Sequence, residues 1–188
     1  MQALYCLKNR NFTKNLKMKT RKASETLSIT TKVVLPNDTN TLGNLFGGQL
    51  LAWMDVIASV SAHRHSKRVV VTAAVNNVSF QKPINHASIV TLEAKVSRAF
   101  SSSMEVFVDV FVEDAVTGKR EKCNEAIYTF VAVDQNGGPI QVPVLVPETD
   151  EEKSRFEGAL RRKQLSLILA GKMDPKEATE LKKLFLGE

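Results

Sequence analysis

The stretch DTNTLGNLFGGQLLAWMDVIASVSAHRH, residues 38–65, decides the fold. It begins as a turn that contains Asn and Gly, and it continues as a segment that is apolar almost all round. A surface helix would carry a broad polar face, so the pattern predicts a buried helix over about residues 45–65. One carboxylate, Asp55, lies in the middle of that helix. An unpartnered buried carboxylate is costly, and its presence here indicates a function.

The segments around the helix predict strands. Residues 28–35 form the first, which Pro36 ends, and four more follow the helix at 69–80, 88–99, 103–114 and 122–134. Their apolar residues alternate with polar ones, a period that no helix produces. The links between the last four are short, which requires antiparallel pairing. A long antiparallel sheet wrapped round one buried central helix is the α+β arrangement called the hotdog fold.

The domain organisation predicted from these elements is simple. Residues 1–25 are expected to be a basic, disordered N-terminal extension, residues 26–148 the hotdog domain, and residues 149–188 a C-terminal helical tail. In the tail, residues 151–169 form one amphipathic helix. Residues 174–186 form a second helix, with Asp174 as its N-cap.

Charge and composition exclude several classes of function. The net charge of +6 comes mostly from residues 1–24, which are rich in Lys and Arg and contain no acid. Because the positive charge is confined to this terminal segment, we expect no nucleic-acid partner for the protein. A transit peptide or a nucleic-acid arm would, however, have the same composition as this segment. The longest apolar stretch, Leu50–Ala62, is too short to span a membrane. Two cysteines make neither a disulfide framework nor a metal cluster, so we expect a cytoplasmic protein without a metal site.

A specific motif runs from Pro36 to Asp55. The pattern P-x-D-x-N-x-x-G-x-x-F-G-G-x-L-L-x-W-M-D resembles the signature of hotdog-fold acyl-coenzyme A thioesterases of the bacterial YciA and cytosolic acyl-CoA hydrolase type. Two later segments, VTAAVNNVSFQKPI and RAFSSSMEVFVDV, also resemble strands of that family. The similarity covers about residues 28–165, the whole predicted domain.

The resemblance implies hydrolysis of acyl-CoA to a free carboxylic acid and CoA. Asp55 falls on the family's catalytic acid, either as general base on water or as a nucleophile that forms a transient anhydride. Asn40 matches the second active-site position, where its amide would hold the water or the thioester carbonyl. The resemblance also implies a homodimer with shared active sites, assembled as a trimer of dimers. No cofactor is expected, since CoA belongs to substrate and product.

The sequence contains no other recognisable catalytic motif, which also leaves Asp55, Asn40 and the helix start for this chemistry. The sequence has no G-x-S-x-G nucleophile motif, no zinc-binding spacing, and no evident His partner for Cys123. Gly47 and Gly48 at the helix start would let a substrate approach the backbone, and free N–H groups there favour an oxyanion. Close packing of the helix explains both glycines equally well. Likewise, an Asn next to a Gly-rich turn is most often only a turn residue.

The spacing within the helix predicts that the site is shared. Asp55 lies seven residues beyond Gly48, which is about 10 Å along a helix. An acid and an oxyanion donor must both lie roughly 3 Å from the reacting centre. We therefore expect Asn40 and the Gly47–Gly48 turn of one chain to meet Asp55 of another.

The phosphates of coenzyme A require cations and hydroxyl groups. The resemblance places nucleotide contacts at Arg98 and the adjacent serines Ser101, Ser102 and Ser103, although a polar hairpin loop would have the same composition. Arg64, His65 and Lys82 are weaker predictions, and His65 would also suit the end of the helix as a cap. The basic run from Arg161 to Lys163 in the tail could meet phosphate or form a solvated face.

Two other functions remain open at this point. A hotdog dehydratase or hydratase would use an acid–base pair such as Asp and His, and the central helix carries Asp55 where such an enzyme would place His. A non-catalytic CoA-binding regulatory module would need neither Asn40 nor Asp55.

Overall fold

The fold was analysed in a computed structural model, which describes residues 19–114 and 117–186. The helices are α1 (Gly47–Ser66), α2 (Asp150–Leu169) and α3 (Thr179–Leu186). The strands are β1 (Thr20–Lys22), β2 (Ser28–Val33), β3 (Val69–Phe80), β4 (Ile89–Ala99), β5 (Ser103–Glu113), β6 (Arg120–Val133) and β7 (Val144–Val146). The predicted strands and the first tail helix thus lie within two residues of their expected bounds.

Five strands form one antiparallel sheet in the order β2-β4-β5-β6-β3. The alternation within each strand puts one set of apolar side chains on the face that packs against α1. The largest buried members of this core are Tyr128, Phe130, Met54, Leu92 and Met104. We call this the inner face of the sheet and the opposite one the outer face. The antiparallel sheet around one central helix confirms the predicted hotdog fold.

Helix α1 is buried on one side only. Met54 and Ala58 are inaccessible to solvent, whereas Val56 is 64% exposed and Val60 is 38% exposed. The expectation of burial all round is therefore wrong for a single chain. The exposed stripe of α1 runs alongside β3, which is an edge strand of the sheet. Apolar side chains in such a position call for a cover that the described residues of this chain do not supply.

Helix α2 lies across the outer face of the sheet. Thr149 caps its N-terminus by accepting a hydrogen bond from the backbone N–H of Glu152, in a reciprocal capping box. Two ion pairs fasten the helix to the sheet, Lys95–Glu152 at 2.9 Å and Arg162–Glu105 at 2.7 Å. Both carboxylates are nearly inaccessible to solvent.

The two ends of the domain differ from expectation. Strand β1 pairs in parallel with β7, and Ala23 and Thr26 are buried, so the described structure becomes regular before residue 25. The remainder of the predicted extension, residues 1–18, lies outside the described residues. The second tail helix is interrupted because Ala178 has a non-helical backbone; Asp174 caps a short 3-10 turn, and α3 begins after it. Within residues 19–114 and 117–186, no helix is both long and apolar enough to cross a membrane.

Candidate active site

Asp55 lies on the outward side of α1, at the edge of the exposed apolar stripe. It is partly exposed rather than buried. Its Oδ1 accepts a hydrogen bond of 2.8 Å from the hydroxyl of Thr72, which lies in the edge strand β3. This contact fixes the carboxylate beside the free edge of the sheet. Asp55 is thus an oriented, accessible acid on an apolar surface, which is the form that a general base or nucleophile requires.

Tyr128 is fully buried on the inner face of the sheet. Its hydroxyl donates to the carbonyl of Leu51 at 2.9 Å. Burial, and to a lesser degree the negative charge of Asp55, raise the pKa of Tyr128 to about 12. Tyr128 therefore stays protonated at neutral pH, and its hydroxyl joins the sheet to α1 through the Leu51 carbonyl.

Asn40 organises the loop that precedes α1. Its Oδ1 accepts hydrogen bonds from the backbone N–H groups of Leu42, at 2.9 Å, and Asn44, at 3.2 Å. The residue is therefore the turn residue that its sequence context indicated. Its exposed side-chain amide NH₂ keeps its donors available, because these bonds use only the oxygen. A structural role and a donor role are compatible at this position.

Gly47 and Gly48 form the first turn of α1, whose N-cap, Phe46, offers no side-chain hydrogen bond. A Cβ on Gly48 would lie 2.7 Å from the Phe46 ring, and one on Gly47 would lie 3.5 Å from the Phe80 ring. Close packing thus accounts for Gly48 more strongly than for Gly47. The first backbone N–H groups of α1 still lack helical partners, as in any helix.

A cavity of about 300 Å³ lies at this end of α1. It brings together Asn40, Gly47 and Lys82 with the ring of Phe80. Asp55 is not among its lining residues; it lies eight positions beyond Gly47, about 12 Å along the helix. Within one chain, therefore, Asn40 and Gly47 share a cavity, whereas Gly48 and the predicted acid Asp55 are not among its lining residues.

Three of the weaker predictions for coenzyme A contacts have other partners. Lys82 forms an exposed ion pair with Glu121. Arg64 donates to the carbonyl of Leu27 and to the hydroxyl of Ser28. His65 is fully buried, with Nε2 at 2.8 Å from the carbonyl of Pro143, and burial lowers the pKa of this imidazole. His65 therefore cannot contact a ligand, and its role is structural.

Arg98 is held under helix α2. Its guanidinium lies 4.0 Å from the centroid of the Phe156 ring and donates to the Phe156 carbonyl at 2.9 Å. The serines Ser101, Ser102 and Ser103 form the tight link between β4 and β5, and the backbone carbonyls of the first two accept hydrogen bonds from Val142 and Ala132. Ser103 also lines a second cavity, of about 420 Å³, between α2 and the outer face of the sheet.

Sequence reasoning missed two residues of β3: Thr72, which donates to Asp55, and Phe80, which lines the cavity that contains Asn40. Thr72 is the single hydroxyl in the run VVVTAAV, which was a usable signal. The face on which it lies was not readable, because β3 has irregular register beyond Thr72 and again beyond Asn76. Such shifts break the simple alternation of side chains.

The chain matches a protein-family model. Residues 42–119 match the model described as the thioesterase superfamily. The matched segment includes α1 with Asp55, the strands β3 to β5 and the link that contains Ser101, Ser102 and Ser103.

Relatives of known sequence carry names of the same class. The chain is 46% identical over 143 residues to an uncharacterized acyl-CoA thioester hydrolase, YkhA, of Bacillus subtilis, covering 76% of this chain and 83% of that protein. It is also 34% identical over 146 residues to the human cytosolic acyl coenzyme A thioester hydrolase, covering 76% of this chain but only 38% of the human protein.

Solved structures agree with this assignment. The acyl-CoA hydrolase of Staphylococcus aureus, solved with butyryl coenzyme A, matches with a TM-score of 0.76 and 36% identity over 81% of this chain and 95% of that one. An apo-hexameric acyl-CoA thioesterase matches with a TM-score of 0.78 and 38% identity over 81% of this chain and 97% of that one. Variants of the Staphylococcus enzyme, solved separately, replace an Asn, an Asp and a Thr by Ala. The chain therefore belongs to the thioesterase superfamily, and it is a thioester hydrolase with the hotdog fold.

Proposed function

We propose that this protein hydrolyses acyl-coenzyme A to a free carboxylic acid and CoA, at sites that two chains build together. Asp55 of one chain acts on the water or on the thioester, and Asn40 with the Gly47–Gly48 turn of the other chain holds the carbonyl oxygen. The observation that carries this proposal is the placement of Asp55. It is held by Thr72 at the free edge of the sheet and lies outside the cavity that contains Asn40.

Strand β3 offers a surface through which two copies of the chain could associate. It is twelve residues long and, among the described strands, pairs with β6 on one side only, which leaves its other side as an open edge. Exposed edges of this length invite pairing with another strand. Val75 on β3 is 44% exposed, and Val56 and Val60 of α1 are exposed as well. A second copy of the chain would continue the sheet and cover these side chains.

The symmetry of such a pair would bring the two halves of the site together. A strand that pairs antiparallel with its own copy does so about a two-fold axis near its middle. The Thr72 end of one β3 then lies toward the Phe80 end of the other. Asp55 is bonded at the first end, and the Asn40 cavity lies at the second. Each dimer would contain two such sites.

The chemistry follows from these groups. Asp55 accepts a proton from water as the water oxygen attacks the thioester carbonyl carbon, and the negative charge moves onto the carbonyl oxygen. The amide NH₂ of Asn40 and the backbone N–H groups at the start of α1 stabilise that charge. When the carbon–sulfur bond breaks, the thiolate takes the proton and leaves as CoA. In the alternative route, the Asp55 carboxylate attacks the carbonyl carbon, the carbon–sulfur bond breaks, and the thiolate takes a proton from water and leaves as CoA. Water then hydrolyses the anhydride, which releases the free acid and regenerates the Asp55 carboxylate.

The relatives support this proposal. In the Staphylococcus aureus hydrolase, the replaced Asp lies fifteen residues after the replaced Asn, and the replaced Thr lies seventeen residues after that Asp. Asn40, Asp55 and Thr72 have the same spacing in this chain. Hexameric relatives favour a trimer of dimers here. The cytosolic relative favours a cytoplasmic location.

The test is product analysis with purified protein and a panel of acyl-CoAs that differ in chain length. The wild type is expected to release CoA thiol and free acid in equal amounts. The variant Asp55→Ala is expected to remain folded, by circular dichroism, and to release neither. The matched control is Asp150→Ala, which removes a fully exposed acid from α2 and is expected to act as the wild type.

Two results would contradict the proposal. One is a wild type that releases no thiol from any acyl-CoA of the panel, which would favour a binding module. The other is a folded Asp55→Ala variant that turns over at the wild-type rate, which would remove Asp55 from the chemistry.

A further inference from the structure

The cavity of about 300 Å³ at the start of α1 has a polar group at its buried end. Asn124, on β6, is one of the residues that line it, and this side chain is only 1% exposed. The other buried lining residues are apolar, namely Leu45, Leu50 and Ile84. A carboxamide in such surroundings is costly unless its donors and its acceptor have partners. Asn124 therefore calls for an explanation.

The pattern of β6 favours an apolar side chain at this position. Asn124 pairs with Val110, and Ala126 pairs with Val108, on the inner face of the sheet. Val108, Val110 and Ala126 are all inaccessible to solvent. Asn124 thus interrupts a series of apolar core residues. Positions that break the pattern of an element in this way are expected to be functional or strained sites.

The carboxamide of Asn124 is satisfied only in part by the described residues. Its Oδ1 accepts a hydrogen bond of 2.8 Å from the backbone N–H of Gln81. Its Nδ2 lies 3.6 Å from Sγ of Cys123, which is a weak acceptor. An amide NH₂ has two donors and an amide oxygen has two lone pairs. Asn124 can therefore offer one N–H and one lone pair to a ligand in the cavity.

The acyl group is the part of the proposed substrate that would end in this cavity. The thioester carbonyl is held at Asn40 and Gly47, which line the same cavity. A volume of about 300 Å³ is at the lower end of the range for small-molecule sites, so the nucleotide of CoA must stay outside. The pantetheine arm then leaves on the open side, where Phe80 is 55% exposed. The acyl chain is directed toward the buried end, where Asn124 lies.

We infer that the protein prefers acyl groups that carry a hydroxyl, and that Asn124 recognises this hydroxyl. The inference rests on the proposed function and names the substrate class of the same site. A hydroxyl both donates and accepts, as the remaining N–H and lone pair of Asn124 require. An unsubstituted chain would displace water and leave that N–H without a strong acceptor, which costs binding energy.

An acyl group with a carboxylate fits the cavity less well. A buried carboxylate needs a cation as its partner. Lys82 is the one cation among the described residues that line the cavity, and it already pairs with Glu121 at the surface. The buried end offers a neutral amide, which suits a neutral oxygen.

The experiment compares CoA thioesters of three four-carbon acids, namely butyric acid and its 2-hydroxy and 3-hydroxy derivatives. The three acyl groups differ only in the presence and the position of one oxygen. For at least one hydroxyacyl-CoA, we expect the wild type to have a KM about tenfold lower than for butyryl-CoA, as for one hydrogen bond to an otherwise unpaired donor. Thiol release measures all three reactions.

The variant Asn124→Leu tests the residue itself, because leucine has a similar size and neither a donor nor an acceptor. Loss of the acceptor for Gln81 affects every substrate, so the quantity compared is the ratio of kcat/KM for the hydroxyacyl-CoA to that for butyryl-CoA. This ratio should fall by about tenfold in Asn124→Leu. Asn44→Ala is the matched control, since it removes a partly exposed amide from the same cavity and should leave the ratio unchanged.

Two results would overturn the inference and leave the proposed function intact. One is a wild type that hydrolyses butyryl-CoA and both hydroxyacyl-CoAs with equal KM, a measurement that needs no variant. The other is a folded Asn124→Leu variant, by circular dichroism, that keeps the wild-type ratio. A wild type that hydrolyses no acyl-CoA would instead overturn the proposed function, and the inference with it.

Discussion

The two faces of the sheet differ in whether their charged groups are paired and their apolar side chains are covered. On the outer face, α2 brings its own partners, so that Glu105 and Glu152 are both buried and both paired. On the inner face, next to β3, Val56 and Val60 remain exposed, and Asp55 meets a single hydroxyl. The outer face is completed within one chain, whereas the proposed dimer would complete the inner face at β3. We therefore expect the catalytic site on the inner face of the sheet, at β3.

The largest effect is expected from a charge on the open edge of the sheet. Val75→Glu would place a carboxylate near the two-fold axis, beside its own copy, and would prevent association. Loss of the shared site should lower kcat/KM by about a thousandfold. Light scattering after size-exclusion chromatography measures the mass of the same samples. The control is Val144→Glu, which changes an equally exposed valine on β7 and should leave mass and activity unchanged; a monomeric and fully active Val75→Glu would contradict the account.

The second effect concerns the outer face and should appear in stability alone. Glu105→Gln would leave Arg162 without its counter-charge in a largely buried pair, at a cost of about 3 kcal/mol in the free energy of unfolding. Urea unfolding measures this cost. Glu121→Gln removes an exposed pair instead and should leave the midpoint unchanged. A loss of kcat in Glu105→Gln at full folding would show that the two faces are coupled.

Asn40→Ala should lower kcat by about a hundredfold, because it removes one oxyanion donor. The loop also loses the side-chain acceptor for two backbone N–H groups, so thermal unfolding should be followed in the same samples. Asn44→Ala is the matched control, since Asn44 lines the same cavity and has no assigned role in the chemistry. Equal losses of kcat in both variants would indicate that Asn40 acts only as a turn residue.

Thr72→Val should have the smallest effect, about a tenfold decrease in kcat, because one hydrogen bond that orients Asp55 is lost. Thr72→Ser, which keeps the hydroxyl, is expected to restore most of the rate. KM should change little in either variant. If Thr72→Val lowered KM and kcat together, or if Thr72→Ser did not recover, orientation of Asp55 would not be the role of Thr72.

The fold was largely readable from the sequence because its strands alternate so regularly. In β5, Val106, Val108 and Val110 all fall on the inner face, and each is fully buried. The exposed side of α1 was not readable, because an apolar stripe has the same pattern whether its cover is the same chain or a copy. Strand β1 was also missed, because three residues, Thr-Arg-Lys, carry no pattern, and their pairing with β7 depends on the tertiary fold.

The site was readable in part. Asp55 stands out by its position in an apolar helix, and Asn40 by its motif. His65 looked polar and accessible, yet the turn of α1 directs it inward to the carbonyl of Pro143, a contact between residues 78 positions apart. Lys163 was one of three adjacent cations in the tail, and only the fold separates its position beside Phe100 from that of Arg162, which pairs with Glu105.

A shared active site is best tested by mixing two impaired variants. Asp55→Ala and Asn40→Ala are unfolded together in equal amounts and refolded, so that mixed dimers form. If each site takes Asp55 from one chain and Asn40 from the other, a mixed dimer contains one intact site. The mixture should then recover about a quarter of the wild-type thiol release, far above Asp55→Ala alone, which is inactive, and Asn40→Ala alone, which retains about one hundredth of the rate. Activity of the mixture no higher than that of the two variants refolded separately would contradict a shared active site.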